Sequence, residues 1–336
     1  MKKIFLLVTI SCILSSCGKV FFKPEPENTP TEVFNEYWTN FSELYGPFEE
    51  RGVDWDAVYA QYAPEVNDHI SDDSLFSVLS RMIAVLNDGH VTLTAPDRKS
   101  FSSSRVYRDS IGFSLFNLEV IEHNYLQDAF EGDQDLGYVY GTINGDIIYV
   151  FLPFISDNMP IMDDILDSYP NAKGIIIDLR HSFGGDFTWG LEFFSRFADQ
   201  ERLVFRSSTK EGPGRDDFGP WYDWDIKPSG NYFNKKIVFL TDRYTISASE
   251  RSVMALKVLP NAVQIGDTTN GSHSTQIGRE LQNGWYYTLA TQQVIFADGN
   301  SYEGIGMIPD IAVKNSESNL NAGIDDMLNA AIAELQ

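Results

Sequence analysis

Cysteine is almost absent. Among 336 residues there are two, Cys12 and Cys17, both at the extreme N-terminus. That excludes a disulfide framework and a cysteine-ligated metal site in the body of the chain. Positive charge is also scarce: 25 Lys and Arg stand against 48 Asp and Glu, for a net charge of −23. Such a surface suits neither the phosphate backbone of nucleic acid nor adsorption on an anionic membrane; its simplest role is solubility. There is no internal repeat and no low-complexity tract. The length suffices for a large core, in one large or two ordinary domains.

The longest apolar run opening the chain, Ile4 to Ile13, is too short to span a bilayer. It follows Lys2 and Lys3 and has the form of a signal peptide. Leu14-Ser15-Ser16-Cys17-Gly18 then resembles a bacterial lipoprotein box, in which Cys17 is lipidated and becomes the first residue; an ordinary secretory cut is the other reading. The expected organisation is a signal peptide over 1–16, a tether carrying Pro24 and Pro26 over 17–29, a helical region over 30–90, and a core over 91–336.

Three helices are predicted in the helical region. The first has Thr29 as cap and Pro30 at its first position; the second starts at Asp54; the third starts at Ser71 and ends at Asn87-Asp88-Gly89-His90, with Gly89 as the stop. Beyond Val91 strands and helices alternate. Tyr138–Ile143 and Ile147–Leu152 flank an Asn144-Gly145 hairpin turn. A helix follows over Asn158 to Tyr169, then a buried strand from Gly174 to Arg180. Strand, turn and helix recur from Lys236 to Val258. The pattern implies an α/β core. Ser207 to Asn234, rich in Gly, Pro and aromatics, reads as a long surface loop, and a terminal helix begins near Ile324.

The chain is organised around Thr245-Ile246-Ser247-Ala248-Ser249-Glu250. The run Lys236 to Leu240 leads in as a strand, and Ala248 to Val258 leads out as a helix. Ser247 therefore sits where unpaired N–H groups and the positive end of a helix dipole face outward. An acyl-transfer nucleophile needs such donors for its oxyanion. A plain helix cap at Ser247 or Ser249 is the simpler reading of this stretch alone.

Further segments carry a resemblance. They are Trp55-Asp56, Asn87 to His90, Asp178-Leu179-Arg180 running into Gly184-Gly185, Gly266 to Gly271, and Glu303 to Ile311. Together with the Ser247 stretch, and in this order, they resemble the tail-specific, or C-terminal-processing, serine proteases, whose relatives include the tricorn core protease. The resemblance implies a ClpP/crotonase-like core of repeated ββα units behind a small helical region. It implies Ser247 as nucleophile, with an oxyanion hole from the N–H of Ala248 and that of Gly184 or Gly185. Many of these proteases carry a lysine base where this chain has Ser272, and a glutamine where it has Gln276. The register holds and the lysine is missing. The tricorn-like branch instead implies a histidine base and a late glutamate, matched by His90 and Glu303, with His273 as the rival base. A histidine of ordinary basicity implies activity that falls as pH drops through roughly 6 to 7. His69, His123 and His181 read as surface or packing residues. The stretch between His90 and Leu136 is too short for the peptide-recognition module of roughly 80 residues or more common in this family. The expectation is a lipid-anchored envelope peptidase acting on peptides or proteins, without metal or cofactor. A non-catalytic peptide-binding relative and an acyl hydrolase on the same frame are the alternatives.

Overall fold

A computed structural model describes residues 28–133, 137–157, 159 and 161–336. The lipoprotein box and Cys17 lie outside the described residues.

The helical region forms as its caps require. The Thr29 hydroxyl accepts the Glu32 N–H ahead of Pro30–Leu44, Asp54 caps Trp55–Tyr62, and Ser71 caps Asp72–Ala84. Apolar side chains at helical spacing, including Phe34, Tyr37, Phe41, Leu79 and Met82, bury together. Their core is closed by Trp285, Tyr287 and Leu289, which come from far along the chain. Tyr287 and Leu289 belong to, and Trp285 immediately precedes, a strand of a four-stranded sheet in the order Gln276–Glu280, Tyr286–Ala290, Thr92–Thr94, Phe101–Ser102. The sheet joins the segment after His90 to the segment after His273.

The chain reverses after the third helix in an unexpected way. The left-handed residue is Asn87, with φ 49°, and not Gly89. Gly89 is needed for a different reason. A Cβ there would lie 2.4 Å from Ile246 Cδ1 and 2.7 Å from Asn270 Oδ1. It allows the His90 turn to press against the residue preceding Ser247.

The second layer is a seven-stranded sheet, ordered Ile311–Ala312, Ala262–Gly266, Lys236–Thr241, Gly174–Asp178, Ile147–Phe151, Val139–Ile143, Phe130–Gly132. From Ile311 to Phe151 neighbouring strands are parallel; the last two pairings are antiparallel. Helices Met162–Ser168, Phe187–Phe193 and Ala248–Lys257 make the crossovers that parallel strands require. Both faces are covered, which is why the strands read as unbroken apolar runs: Ile175 and Ile177 enter one core, Ile176 the other. This is the expected α/β core of ββα units. At the end of Gly174–Asp178, Arg180 binds both Asp178 and Asp325, all fully buried, and Tyr149 donates to Asp178 at 2.8 Å. The network fixes the point where the strand opens into the Gly184 turn.

Two expectations are corrected. Ser207 to Asn234 is not all surface loop: Arg202–Thr209 is the central strand of a three-stranded sheet and pairs with Tyr222–Ile226 on one side and Gln292–Phe296 on the other. Trp224 packs edge-on to Phe187, with centroids 4.8 Å apart. The Tyr222–Ile226 strand has its partner across the loop 210–221, and flanking Gly, Pro and Asp residues masked its alternation. Of the helix expected over Asn158 to Tyr169, the described residues form Met162–Ser168, while Asn158 and Pro160 lie outside the described residues.

Candidate active site

The strand Lys236–Thr241 delivers a turn that is tied down before it reaches Ser247. Asp242 Oδ1 accepts the N–H groups of His181, Tyr244 and Thr245. The Thr245 hydroxyl donates to Leu179 O at 2.7 Å. Ser247 itself has φ 62° and ψ −123°, a region that residues with a Cβ rarely occupy and that costs on the order of 1–3 kcal/mol. A strained strand-to-helix elbow of this kind presents a hydroxyl at the head of a helix. Ser249, by contrast, is fully buried; its hydroxyl lies 2.7 Å from that of Ser182 and accepts the Gly184 N–H at 3.2 Å.

The turn opposite is shaped around Ser247. A Cβ on Gly184 would lie 2.7 Å from Ser247 Cβ, and one on Gly185 would lie 2.0 Å from Ile155 O. The two glycine amides differ. Gly184 donates to Ser249, as above. Gly185 bridges Ile155 in parallel, so Gly184 O and Asp186 N–H face Ile155. Gly185 N–H then faces away from Ile155. Ala248 N–H opens the helix and has no intrahelical partner.

Gly185, Ser247, Ala248, His90, His273 and Gln276 line one cavity of about 460 Å³. His90 and His273 are both buried. Burial pushes each imidazole down to about 4, against the pull of Asp88 and Glu303 respectively. Both rings are therefore neutral at pH 7. They differ in surroundings. His273 Nε2 lies 3.4 Å from Glu250 and its Nδ1 lies 3.8 Å from Glu303. No nitrogen of either ring has a hydrogen-bond partner among the described residues, and no carboxylate within ion-pair distance faces the His90 ring there. Glu303 faces His273, and the arrangement expected from the resemblance, with Glu303 holding His90, is corrected. His90 is held through its backbone, whose N–H donates to Asp88 at 2.8 Å.

Comparisons with known proteins give the family and the fold. Residues 146–313 match the family model "Peptidase family S41", and residues 26–84 match "Tricorn protease C1 domain". The chain belongs to peptidase family S41. It is 27% identical over 179 residues to a carboxy-terminal-processing protease of Bartonella bacilliformis, covering 51% of this chain and 40% of that one. It spans less than half the length of the curated relatives it matches. A crystal structure from Parabacteroides merdae, of a protein assigned as a peptidase, superposes with a TM-score of 0.83 at 27% identity, over 92% of this chain and 97% of the other. Mature CPAF shares the fold, with a TM-score of 0.69 at 11% identity over 91% and 97% of the two chains.

The S41 chain holds its two histidine loops together with a buried arginine. Arg51 donates to Glu303 at 2.5 Å, to Gly271 O at 2.7 Å and to Asn87 O at 2.8 Å. Glu303 in turn accepts the N–H groups of His273 and Ser274. Ser272, where the resemblance implies a lysine, accepts the Gly89 N–H at 2.9 Å and has Asn270 Oδ1 at 2.9 Å and Asp88 Oδ1 at 3.2 Å as alternative acceptors for its one proton. It joins loops and does not serve as a base. Gln276 is exposed at the cavity mouth. His69 and His123 lie on the surface, and His181 is packed outside the cavity against Asp242 at 2.6 Å.

Glu250 is a member of the S41 site whose role the sequence did not reveal. Its carboxylate accepts from the N–H of Ser247 at 3.2 Å, of Gly271 at 2.7 Å and of Ser272 at 2.8 Å, and from the Thr269 hydroxyl. Burial pushes it up to about 7, against those bonds. Arg51 had no sequence signal: a lone arginine after a helix carries no motif. Glu250 stood within the quoted motif, and only its fan of acceptors shows what it does.

Proposed function

We propose that this chain is a serine peptidase that hydrolyses peptide bonds through an acyl-enzyme on Ser247, with His90 as base. Ser247 Oγ attacks the carbonyl carbon while its proton passes to the imidazole of His90. The carbonyl oxygen gathers charge against the N–H groups of Ala248 and Gly185. Collapse expels the amine, which takes the proton from His90, and water repeats the sequence to free the acid. The observation that carries this reading is the strained Ser247 elbow at a helix head, sharing one cavity with a neutral, unpartnered imidazole. His90 is preferred to His273 because both nitrogens of His273 face carboxylates. Glu303 acts through the loop that it and Arg51 hold. The names of the curated relatives, carboxy-terminal-processing proteases, support a peptide or protein substrate. The box before Cys17 supports a lipid anchor on a membrane of the bacterial envelope.

A serine-reactive phosphonate and a fluorogenic peptide panel test the reading together. Ser247→Ala should abolish labelling and hydrolysis with the fold intact, and Ser249→Ala should not. His90→Ala should cost on the order of 10³-fold in turnover and His273→Ala much less. Loss in His273→Ala with full activity in His90→Ala would move the base. Mass spectrometry of the mature N-terminus tests the lipid on Cys17; an unmodified residue there refutes it.

A further inference from the structure

The described residues include three buried arginines with contrasting company. Arg51 is paired with Glu303 and Asp88, and Arg180 with Asp178 and Asp325. Arg251 is 2% exposed and has only neutral partners: His273 O at 2.8 Å, Gln292 Oε1 at 2.7 Å and Thr275 Oγ1 at 3.4 Å. Its guanidinium lies over Phe187 and Phe205, 4.4 and 4.9 Å from the ring centroids. Its Nη1 is buried without a hydrogen-bond partner. Glu303 and Glu250 lie near enough to favour its charge, but neither carboxylate bonds it, and a buried guanidinium N–H without a partner is costly. Burial lowers its affinity for a proton to about 10, so it stays charged at pH 7.

Its position gives the cation a context. Arg251 stands one helical turn after Ser247, on the same face, and helical side chains lean toward the N-terminus. It lines the Ser247 cavity, whose other lining residues include no Asp or Glu. In a protein of net charge −23, the wall of this cavity thus has one permanent charge, and it is positive. The carboxylates nearest to it, Glu250 and Glu303, stand behind the lining, against His273.

We propose that Arg251 is a carboxylate-recognition residue, and that the peptide entering the Ser247 cavity brings an anionic carboxylate to the free side of its guanidinium. The proposal rests on the reading of this cavity as the substrate site. The carboxylate has two sources in a peptide, an Asp or Glu side chain or the chain's own C-terminus. Both offer the planar, two-oxygen acceptor that a guanidinium fork matches. Reaching the buried Nη1 desolvates both partners, which strengthens the contact.

The experiment measures binding, so it is independent of turnover. Acetylated peptides of one length are titrated into Ser247→Ala protein: a neutral parent ending in an amide, the same peptide with one Asn replaced by Asp at each position in turn, and the parent with a free C-terminal acid. We expect one carboxylate form to bind about 10- to 100-fold more tightly than the parent, the range of a charge-assisted hydrogen bond, with the advantage shrinking as salt rises. The winning peptide identifies the source. Adding Arg251→Gln or Arg251→Met, whichever folds, should erase the advantage while the parent's affinity changes little. Equal binding of all forms overturns the inference, as does no binding of any form or an advantage that survives removal of the guanidinium. Cleavage by the native protein is read separately. A carboxylate preference without cleavage keeps the inference and refutes the peptidase reading; cleavage without preference does the reverse.

Discussion

Acid should unfold this protein through the two histidines that share its cavity. Each ring is fully enclosed, and its basicity falls from an ordinary 6.5 to about 4 in the folded state. A depressed histidine means that the unfolded chain binds the proton first. Stability from each ring is therefore complete above about pH 6.5, and it is lost as pH falls from there to about 4. At about 1.4 kcal/mol per pH unit, each ring contributes roughly 3 kcal/mol to the loss. The two do not simply add, since each charged ring disfavours the other. Glu250 works in the opposite direction. Its raised carboxyl makes the folded state bind a proton between about 7 and 4.5, which offsets part of the loss over the same window. The raw pH curve is thus ambiguous, and the difference between proteins is not. Urea unfolding of the native protein and of His90→Gln, His273→Gln and the double variant should be compared at pH 7, 5.5 and 4.5. Glutamine does not titrate, so each substitution should flatten the acid slope relative to the native protein, whatever its cost at pH 7. Identical slopes in the native protein and the double variant would refute the reasoning.

The same depression should move the acid limb of kcat/KM to near pH 4, well below the limb at 6 to 7 of an ordinary histidine base; a half-point above pH 6 that is absent in a control lacking Glu250 would assign the limb to Glu250 instead. Gly184→Ala should abolish phosphonate labelling, because a Cβ 2.7 Å from Ser247 Cβ displaces the elbow, while a thermal melt still shows one cooperative transition; normal labelling in this variant would disprove the close packing. Arg51→Met leaves Glu303 and Asp88 buried without their cation, so stability at pH 7 should fall by about 3–5 kcal/mol; a loss below 1 kcal/mol by urea titration would mean the carboxyls are not held charged by Arg51.

Legibility followed the range of the interactions. The Ser247 elbow could be read because its causes are local: an apolar run, a short turn and a helix-forming segment in succession. Helix caps at Thr29, Asp54 and Ser71 were readable for the same reason. Choosing between Gly184 and Gly185 was not possible from sequence, since it depends on Ile155 and Ser249 taking sides of the turn. The pairing of Glu303 with His273 depends on Arg51, which approaches from the helical region and shows no pattern in the sequence. The strand Tyr222–Ile226 was hidden because its partners are other parts of the chain. Gly89 looked like a helix stop, since spacing alone cannot distinguish a left-handed turn from a place where two segments touch.

The clamp around Arg51 also sets a schedule. It takes Arg51 and Asp88 from the first third of the chain, the Gly271–Ser274 loop from the last third, and Glu303 from near the end. During synthesis the serine elbow can emerge and fold with its own strand and helix. The loop that places His273 beside it lacks its Glu303 anchor until residue 303 has left the ribosome, and the helical region that carries His90 has no sheet to close its core until residue 290 has followed. A half-made chain therefore lacks the finished cavity: its walls come together only when segments from both ends of the described chain have met.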